Sequence, residues 1–254
     1  MGTCWMQAIA SLGSAHVVAC GAVATQGRAT TCHLLAVSGS TLTNQSAVRV
    51  SEQADFLSAT SLASPERVVI CFSDWQTVSA ECRSLQASGD ELVEAGNVTV
   101  DSGVTRYLSL SPVSSDRALL CLERQGPLGE QCMDRRLQCE YWAAAGECTI
   151  NPKFMDSLCP HSCGVCTTVG LSQGRCHVLG VSETSIEAGP EVVVNDGITW
   201  NFAMARVESD TAIVCFSDST RRDAARCRTV WGLREWLPLQ ARACTENASA
   251  SCVP

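Results

Sequence analysis

Val68-Val69-Ile70-Cys71, followed by Cys82, and Ala118-Leu119-Leu120-Cys121, followed much later by Cys176, decide the fold. The same short apolar run ending in cysteine occurs at Val17-Val18-Ala19-Cys20, with Cys32 after it, and at Ala212-Ile213-Val214-Cys215, with Cys227 after it. Runs of this length and composition are what buried strands use. From each second cysteine to the cysteine of the next run is 39 residues: Cys32 to Cys71, Cys82 to Cys121, Cys176 to Cys215. Three equal intervals mark an internal repeat.

A second landmark confirms the period. At 16 and 18 residues after the second cysteine stand Val48 and Val50, Val98 and Val100, and Val192 and Val194, the alternation of a half-buried strand. Turn residues follow, as in Asp101-Ser102-Gly103 and Asn195-Asp196-Gly197. Each unit of about 50 residues has room for four short strands, typified by Tyr107 to Val113, Arg117 to Leu122, Glu81 to Gln86 and Asn97 to Val100. Four strands per repeat resembles a β-propeller blade. A single such sheet cannot bury both faces, so neighbouring repeats must stack. The expected fold is mainly β: four four-stranded, propeller-like repeats, forming a small closed ring or part of a larger one.

Cys20 with Cys32, Cys71 with Cys82, and Cys215 with Cys227 are 12, 11 and 12 residues apart, which suits antiparallel strands joined by a short loop. We read them as cross-strand disulfides; the other reading is free thiols acting as small buried hydrophobes. Cys121 and Cys176 are 55 apart, so about 43 residues have entered that hairpin loop. Loop tips tolerate such insertions because few backbone hydrogen bonds are lost.

The inserted block holds Cys132, Cys139, Cys148, Cys159, Cys163 and Cys166 within 35 residues, too few for a useful core without covalent staples. Six cysteines allow 15 pairings, and spacing does not choose among them. Cys132-Met-Asp134, Cys139-Glu-Tyr-Trp142-Ala143, Gly146-Glu147-Cys148, Asn151-Pro152-Lys153-Phe154-Met155 and Cys159-Pro160-His-Ser-Cys163-Gly164-Val-Cys166 closely resemble the ShKT family. The resemblance implies short helices and the pairs Cys132 with Cys166, Cys139 with Cys159, and Cys148 with Cys163. It accounts for all six cysteines, which argues against a zinc site at Cys159, His161, Cys163 and Cys166. No thioredoxin-like βαβ pattern surrounds Cys163-Gly-Val-Cys166.

Some members of that family block potassium channels through a lysine and an adjacent aromatic residue. Here those positions are Lys153 and Phe154, with phenylalanine where the toxins have tyrosine. An ammonium group can enter a cation-selective pore. The segment from Cys132 to Cys166 carries three basic and four acidic residues, however, whereas a pore blocker needs a basic face. Candidate contact residues are Lys153, Phe154, Tyr141 and Trp142, with Trp142 also a candidate for the core of the insert.

Composition narrows the function. The chain of 254 residues has 17 cysteines, 17% charged residues and a net charge of -8. That cysteine content reads as disulfide chemistry in an oxidising compartment. The negative charge disfavours nucleic acid and anionic membrane surfaces. No stretch has the roughly 20 apolar residues of a membrane-spanning helix. Sequons at Asn44, Asn97 and Asn247 fit a secretory route with glycosylation. Met1 to Ala24 is apolar, with Ala22-Val23-Ala24 resembling a cleavage site, but it lacks basic residues and enters the repeat directly. Together with Cys4, which has no evident partner, this makes a fragment or a misplaced start the expectation.

Phe72-Ser73-Asp74 and Phe216-Ser217-Asp218 faintly resemble the turn motif of sialidase-type propellers and are read as turn caps. His33 and His177 occupy equivalent places after Cys32 and Cys176, a repeat feature. Trp231 and Trp236 lie where the repeat lapses, as closing or edge-covering residues, and Cys244 and Cys252 are a further candidate pair.

The sequence therefore divides as 1–131, repeats one, two and part of three; 132–166, the ShKT domain; 167–240, the remainder of repeat three and repeat four; and 241–254, a tail. It reads as a secreted or extracellular interaction protein with a protein or glycan partner, no metal, no cofactor and no catalysis of its own. Channel modulation through Lys153 and a glycosidase-type propeller are the alternatives. Thiol titration of the unreduced, denatured protein checks the redox reading: only a small minority of the 17 cysteines should react.

Overall fold

The computed structural model describes residues 4–23, 29–64, 66–125, 139–160, 162–165, 172–219, 223–233 and 239–243. Among the described residues, sixteen strands form four antiparallel four-stranded sheets in simple up-and-down order. The first holds β1 (Cys4–Leu12), β2 (His16–Val23), β3 (Ala29–Ser38) and β4 (Thr41–Ser51). The second holds β5 (Ala54–Ala63), β6 (Glu66–Asp74), β7 (Ser79–Ser88) and β8 (Glu91–Ser102). The third holds β9 (Thr105–Pro112), β10 (Arg117–Arg124), β11 (Gln173–Val181) and β12 (Ile186–Asn195). The fourth holds β13 (Thr199–Glu208), β14 (Thr211–Asp218), β15 (Ala224–Trp231) and β16 (Gln240–Ala243).

The repeat landmarks map onto fixed places in each sheet. Each apolar run lies on the second strand, and the cysteine that follows lies on the third, directly opposite the first cysteine in register: Cys20 with Cys32, Cys71 with Cys82, Cys121 with Cys176, Cys215 with Cys227. All four pairs are disulfide-bonded. The valine pairs lie on the outermost strands β4, β8 and β12. Arg67 to Asp74 of β6 is buried throughout, which explains an unbroken apolar run where a one-sided strand would alternate.

Apolar seams join consecutive sheets. Leu12, Val18, Cys20 and Leu34 pack on Val68, Ile70, Phe72 and Leu85. Val69, Cys71 and Cys82 pack on Leu108, Leu120, Leu122 and Leu179. Leu119, Cys121, Cys176 and Val178 pack on Phe202, Val214, Phe216 and Val230. First strands contact first strands, β1 on β5, β5 on β9 and β9 on β13, and outer strands do likewise. Gly96 makes one such approach possible: a Cβ there would lie 3.1 Å from the backbone of Ser185 and Ile186 on the next sheet. The result is a propeller-like stack. The end sheets are more open than the inner ones: Ile9 is 69% exposed, while Cys71, Cys82, Cys121 and Cys176 are fully covered.

Polar side chains stitch the same seams. The Ser51 hydroxyl donates to Asp74 Oδ2 at 2.7 Å, while Asp74 Oδ1 accepts the amides of Gln76 and Thr77. Ser73 donates to the Thr105 carbonyl at 2.6 Å. The Phe-Ser-Asp motif thus caps a turn and also ties its sheet to both neighbours. In the last sheet, Asp218 accepts from Arg226 instead.

β10 ends at Arg124 and β11 begins at Gln173, so the long insertion opens the central hairpin of the third sheet. Within it are α1 (Cys139–Ala144), α2 (Glu147–Ile150) and α3 (Pro152–Leu158). β16, which pairs with β15 from Trp231 opposite Gln240 to Arg228 opposite Ala243, supplies the outer strand of the last sheet from the start of the segment read as a tail. The Arg242 guanidinium lies 5.3 Å over the Trp231 ring. Cys132, His161, Cys166, Trp236, Cys244, Asn247 and Cys252, with the Cys4 side chain, lie outside the described residues.

Two measurements check this account. Replacing Cys71 and Cys82 together by serine should cost about 2–4 kcal/mol in denaturant unfolding, the usual value for a loop of this size. Asp74 gives a pH signature. Burial raises its pKa, but the Ser51 hydroxyl and the Thr77 and Gln76 amides outweigh burial and hold it below the ordinary aspartate value. Its contribution is therefore complete above the unfolded-state pKa and is lost as the pH falls through the lower folded-state value. Asp74→Asn should flatten the acid limb of a stability-against-pH curve.

Candidate functional site

The described residues of the insert share one small core. Met155, Cys139 and Cys159 are buried together, with Trp142, Cys148, Leu158 and Cys163 packed against them. Disulfides join Cys139 to Cys159 and Cys148 to Cys163. Gly146, between α1 and α2, has φ 86°, a conformation that costs glycine little and other residues more. Pro152 opens α3, where its missing N–H would have had no helical partner.

These constraints fix the four candidate contact residues. Tyr141 and Trp142 lie on α1; Lys153 and Phe154 lie on α3. Tyr141 is 73% exposed and Phe154 50%. Trp142 is half-buried, and its ring centroid lies 5.8 Å from that of Phe154. A groove of about 400 Å³ runs between them, lined by Trp142, Glu147, Asn151, Phe154 and Met155. Lys153 is exposed. The structure thus brings Trp142 and Phe154 together at a groove and leaves Lys153 and Tyr141 in solvent.

A second cavity, of about 370 Å³, lies where the first strands of all four sheets meet. Gln7, Phe56, Leu57, Tyr107, Leu108, Ser109, Asn201 and Phe202 line it. Three of these strands carry a bulge at the same place, between Asp55 and Ser58, Arg106 and Ser109, and Trp200 and Ala203. At each bulge one residue takes positive φ: Phe56 at 53°, Tyr107 at 52° and Asn201 at 53°. Bulges re-aim side chains, and here they turn their residues into the cavity. Sequence reading missed them, because none of the three is a glycine. Tyr107 lies between Phe56 and Trp200, tilted to both rings, with centroids 5.1 and 5.9 Å away. The described lining is apolar apart from amide and hydroxyl groups.

Asn44 and Asn97 are exposed on the outer strands β4 and β8, and Asn97 donates to Glu94 at 2.9 Å. His33 and His177, equivalent in the repeat, have different surroundings. Cross-strand from His33 is Ala47; cross-strand from His177 is Glu191. Asp101, His177 and Glu191 bring three donor atoms within 4.8 Å of one another.

Comparison with known proteins places the insert. Residues 131–166 match the ShK domain-like family. The insert is an ShK-type domain, and it occupies a minor part of the chain. Two proteins of Caenorhabditis elegans share short stretches with the chain: peroxidase skpo-1, 40% identical over 38 residues, and zinc metalloproteinase nas-14, 51% identical over 37 residues. Each stretch is 15% of this chain and only 6% and 7% of those proteins. Among solved structures, Sqt1 from Saccharomyces cerevisiae aligns with 96% of this chain and 60% of its own at 9% identity and a TM-score of 0.48. A GH43 endo-arabinanase from Bacillus licheniformis aligns with 97% of this chain and 75% of its own at 8% identity and a TM-score of 0.40.

The ShK-type domain depends on its few buried atoms. Met155→Ala should cost about 2–5 kcal/mol of local stability, as removal of a buried methionine side chain does elsewhere. Hydrogen exchange should then accelerate at the α3 amides while the β6 and β10 amides keep their protection. Phe154→Ala should leave α3 far less affected.

Proposed function

We propose that the chain is a secreted or cell-surface interaction protein, in which the β-sheet scaffold displays the ShK-type domain as a recognition surface and carries out no catalysis of its own. The observation that carries this reading is the site of insertion. The domain leaves the scaffold through the hairpin of β10 and β11, whose strands are joined by the Cys121–Cys176 disulfide. Recognition surfaces are commonly loops held on rigid scaffolds. The disulfide-bonded sheets and the ShK-type domain support an oxidising, extracellular setting. Among the described residues no helix is long and apolar enough to cross a membrane.

The surface on offer is aromatic. Tyr141 and Phe154 give large contact area at little conformational cost, and the Trp142–Phe154 groove accepts an apolar group from a protein or the face of a sugar ring. The described lining of the cavity among the first strands offers amides, hydroxyls and apolar groups, and Tyr107 lies between two rings.

A second reading is favoured by one observation: Lys153, the chain's only lysine, is exposed beside Phe154 on α3. A potassium-channel modulator would use that pair.

Replacing the segment between Gln125 and Ser172 by a turn like Trp75–Val78 tests the proposal, since it keeps Cys121 opposite Cys176. Fluorescently labelled full-length protein should bind the surface of responsive cells, and the excised variant should bind at least tenfold more weakly. Equal binding by the two would move recognition to the scaffold. Turnover of any of a panel of aryl glycosides would remove the non-catalytic part. In voltage clamp, a potassium current reduced by the wild type and untouched by Lys153→Ala would favour the second reading.

A further inference from the structure

His177 is the one buried histidine among those described, and two carboxylates, Asp101 and Glu191, lie close to it. It stands on β11 of the third sheet, with 5% of its surface exposed. Asp101, at the end of β8 in the second sheet, reaches the same place with 7% exposed. Glu191, on β12, faces His177 from the solvent side, its Oε2 3.9 Å from His177 Nε2. The cluster therefore spans the seam between two sheets.

Two buried atoms in it make no hydrogen bond: Asp101 Oδ2 and His177 Nε2. Buried polar groups are almost always paired, so two unpaired ones in one cluster call for a partner. The other side of the imidazole is already committed, because His177 donates to the Gly189 carbonyl. With Nε2 unbonded, that donor is Nδ1–H, and the Nε2 lone pair points into the cluster. A backbone carbonyl that fixes the tautomer in this way is the usual outer support of a metal-binding histidine. Burial lowers the His177 pKa, against the pull of Glu191 and Asp101, and so favours the neutral ring.

The carboxylates are oriented as well. Arg124 Nε lies 3.3 Å from Asp101 Oδ1, which leaves Oδ2 for another partner. Arg175 Nη1 lies 2.7 Å from Glu191 Oε2. These two cations balance the two acids, so the cluster is close to neutral before anything binds.

We infer that Asp101, His177 and Glu191 form a binding site for a divalent first-row transition ion, with zinc the best match, that staples the second sheet to the third. One imidazole with two carboxylates suits zinc better than calcium or magnesium, which favour all-oxygen shells. Ligand bonds of about 2.0–2.2 Å place tetrahedral donors about 3.4 Å apart, so the present spread of up to 4.8 Å must close by about 1.4 Å. Glu191, whose side chain is 45% exposed, has the freedom to close it. A fourth position would be left for water on the Glu191 side. Arg175 competes for Glu191 and adds like charge, which predicts micromolar affinity rather than the tighter binding of an all-cysteine site.

The test uses the full oxidised chain and the metals alone. Titration calorimetry with Zn²⁺ should show one equivalent bound and a melting temperature that rises with Zn²⁺ concentration. His177→Gln and Asp101→Asn should each weaken binding at least tenfold. His33→Gln, the repeat-equivalent histidine opposite Ala47, should bind as the wild type does. Circular dichroism establishes that each variant is folded. X-ray absorption of the zinc-loaded wild type, which needs no variant, should show nitrogen and oxygen scatterers with one imidazole. Absence of binding at 100-fold excess Zn²⁺, unchanged affinity in folded His177→Gln, or sulfur in the zinc shell would each overturn the assignment.

Discussion

Each sheet rests on one constraint: its second and third strands carry cysteines directly opposite one another, and the bond between them fixes the register of the pair. A slip of one residue would turn every side chain to the wrong face. In the two inner sheets the middle strands are largely covered on both faces, so register decides which residues meet each neighbouring sheet. The sulfur bridge then lets the loop beyond it vary. Closing a longer loop costs only slowly more entropy, so a hairpin tied at its root can take an insertion of domain size while the strands keep their alignment. The third sheet uses that freedom, and the first, second and fourth do not.

Guest and host are stabilised in different ways. The sheets bury Phe72, Ile70, Leu85, Leu119, Leu120 and Leu122 in continuous seams, the ordinary hydrophobic route to stability. Among the described residues of the ShK-type domain, Met155 is buried with Cys139 and Cys159 in one small cluster held by disulfides. With so few residues needed inside, the domain can leave Tyr141 and Phe154 exposed, and the same economy that makes it small makes its surface available.

Where sequence reading succeeded, spacing carried the information. The intervals from Cys32 to Cys71, Cys82 to Cys121 and Cys176 to Cys215 revealed four sheets, and the valine pairs marked the outer strands. The ShK-type motif was legible because its cysteines, Asn151-Pro152 and Gly146 form a dense local pattern. Features made by contact between sheets left no such trace. β16 is a short strand far beyond β15, without the valine signature of the others. The bulges at Phe56, Tyr107 and Asn201 put bulky or polar residues at positive φ, where glycine would have announced the turn. His177 was legible as the repeat partner of His33, but what distinguishes it is Glu191 in place of Ala47 and Asp101 arriving from another sheet. The Phe-Ser-Asp motif was legible as a turn cap, whereas its reach to Ser51 and Thr105 depends on the stacking.

The central claim is that a disulfide-tied hairpin of the scaffold has been opened to receive the ShK-type domain. Peptide mapping by mass spectrometry under non-reducing conditions tests it most directly. The account predicts a single peptide pair joining Cys121 to Cys176 across the inserted residues, alongside Cys71 joined to Cys82. Cys121 or Cys176 recovered as a free thiol, or bonded to any cysteine between them, would contradict it.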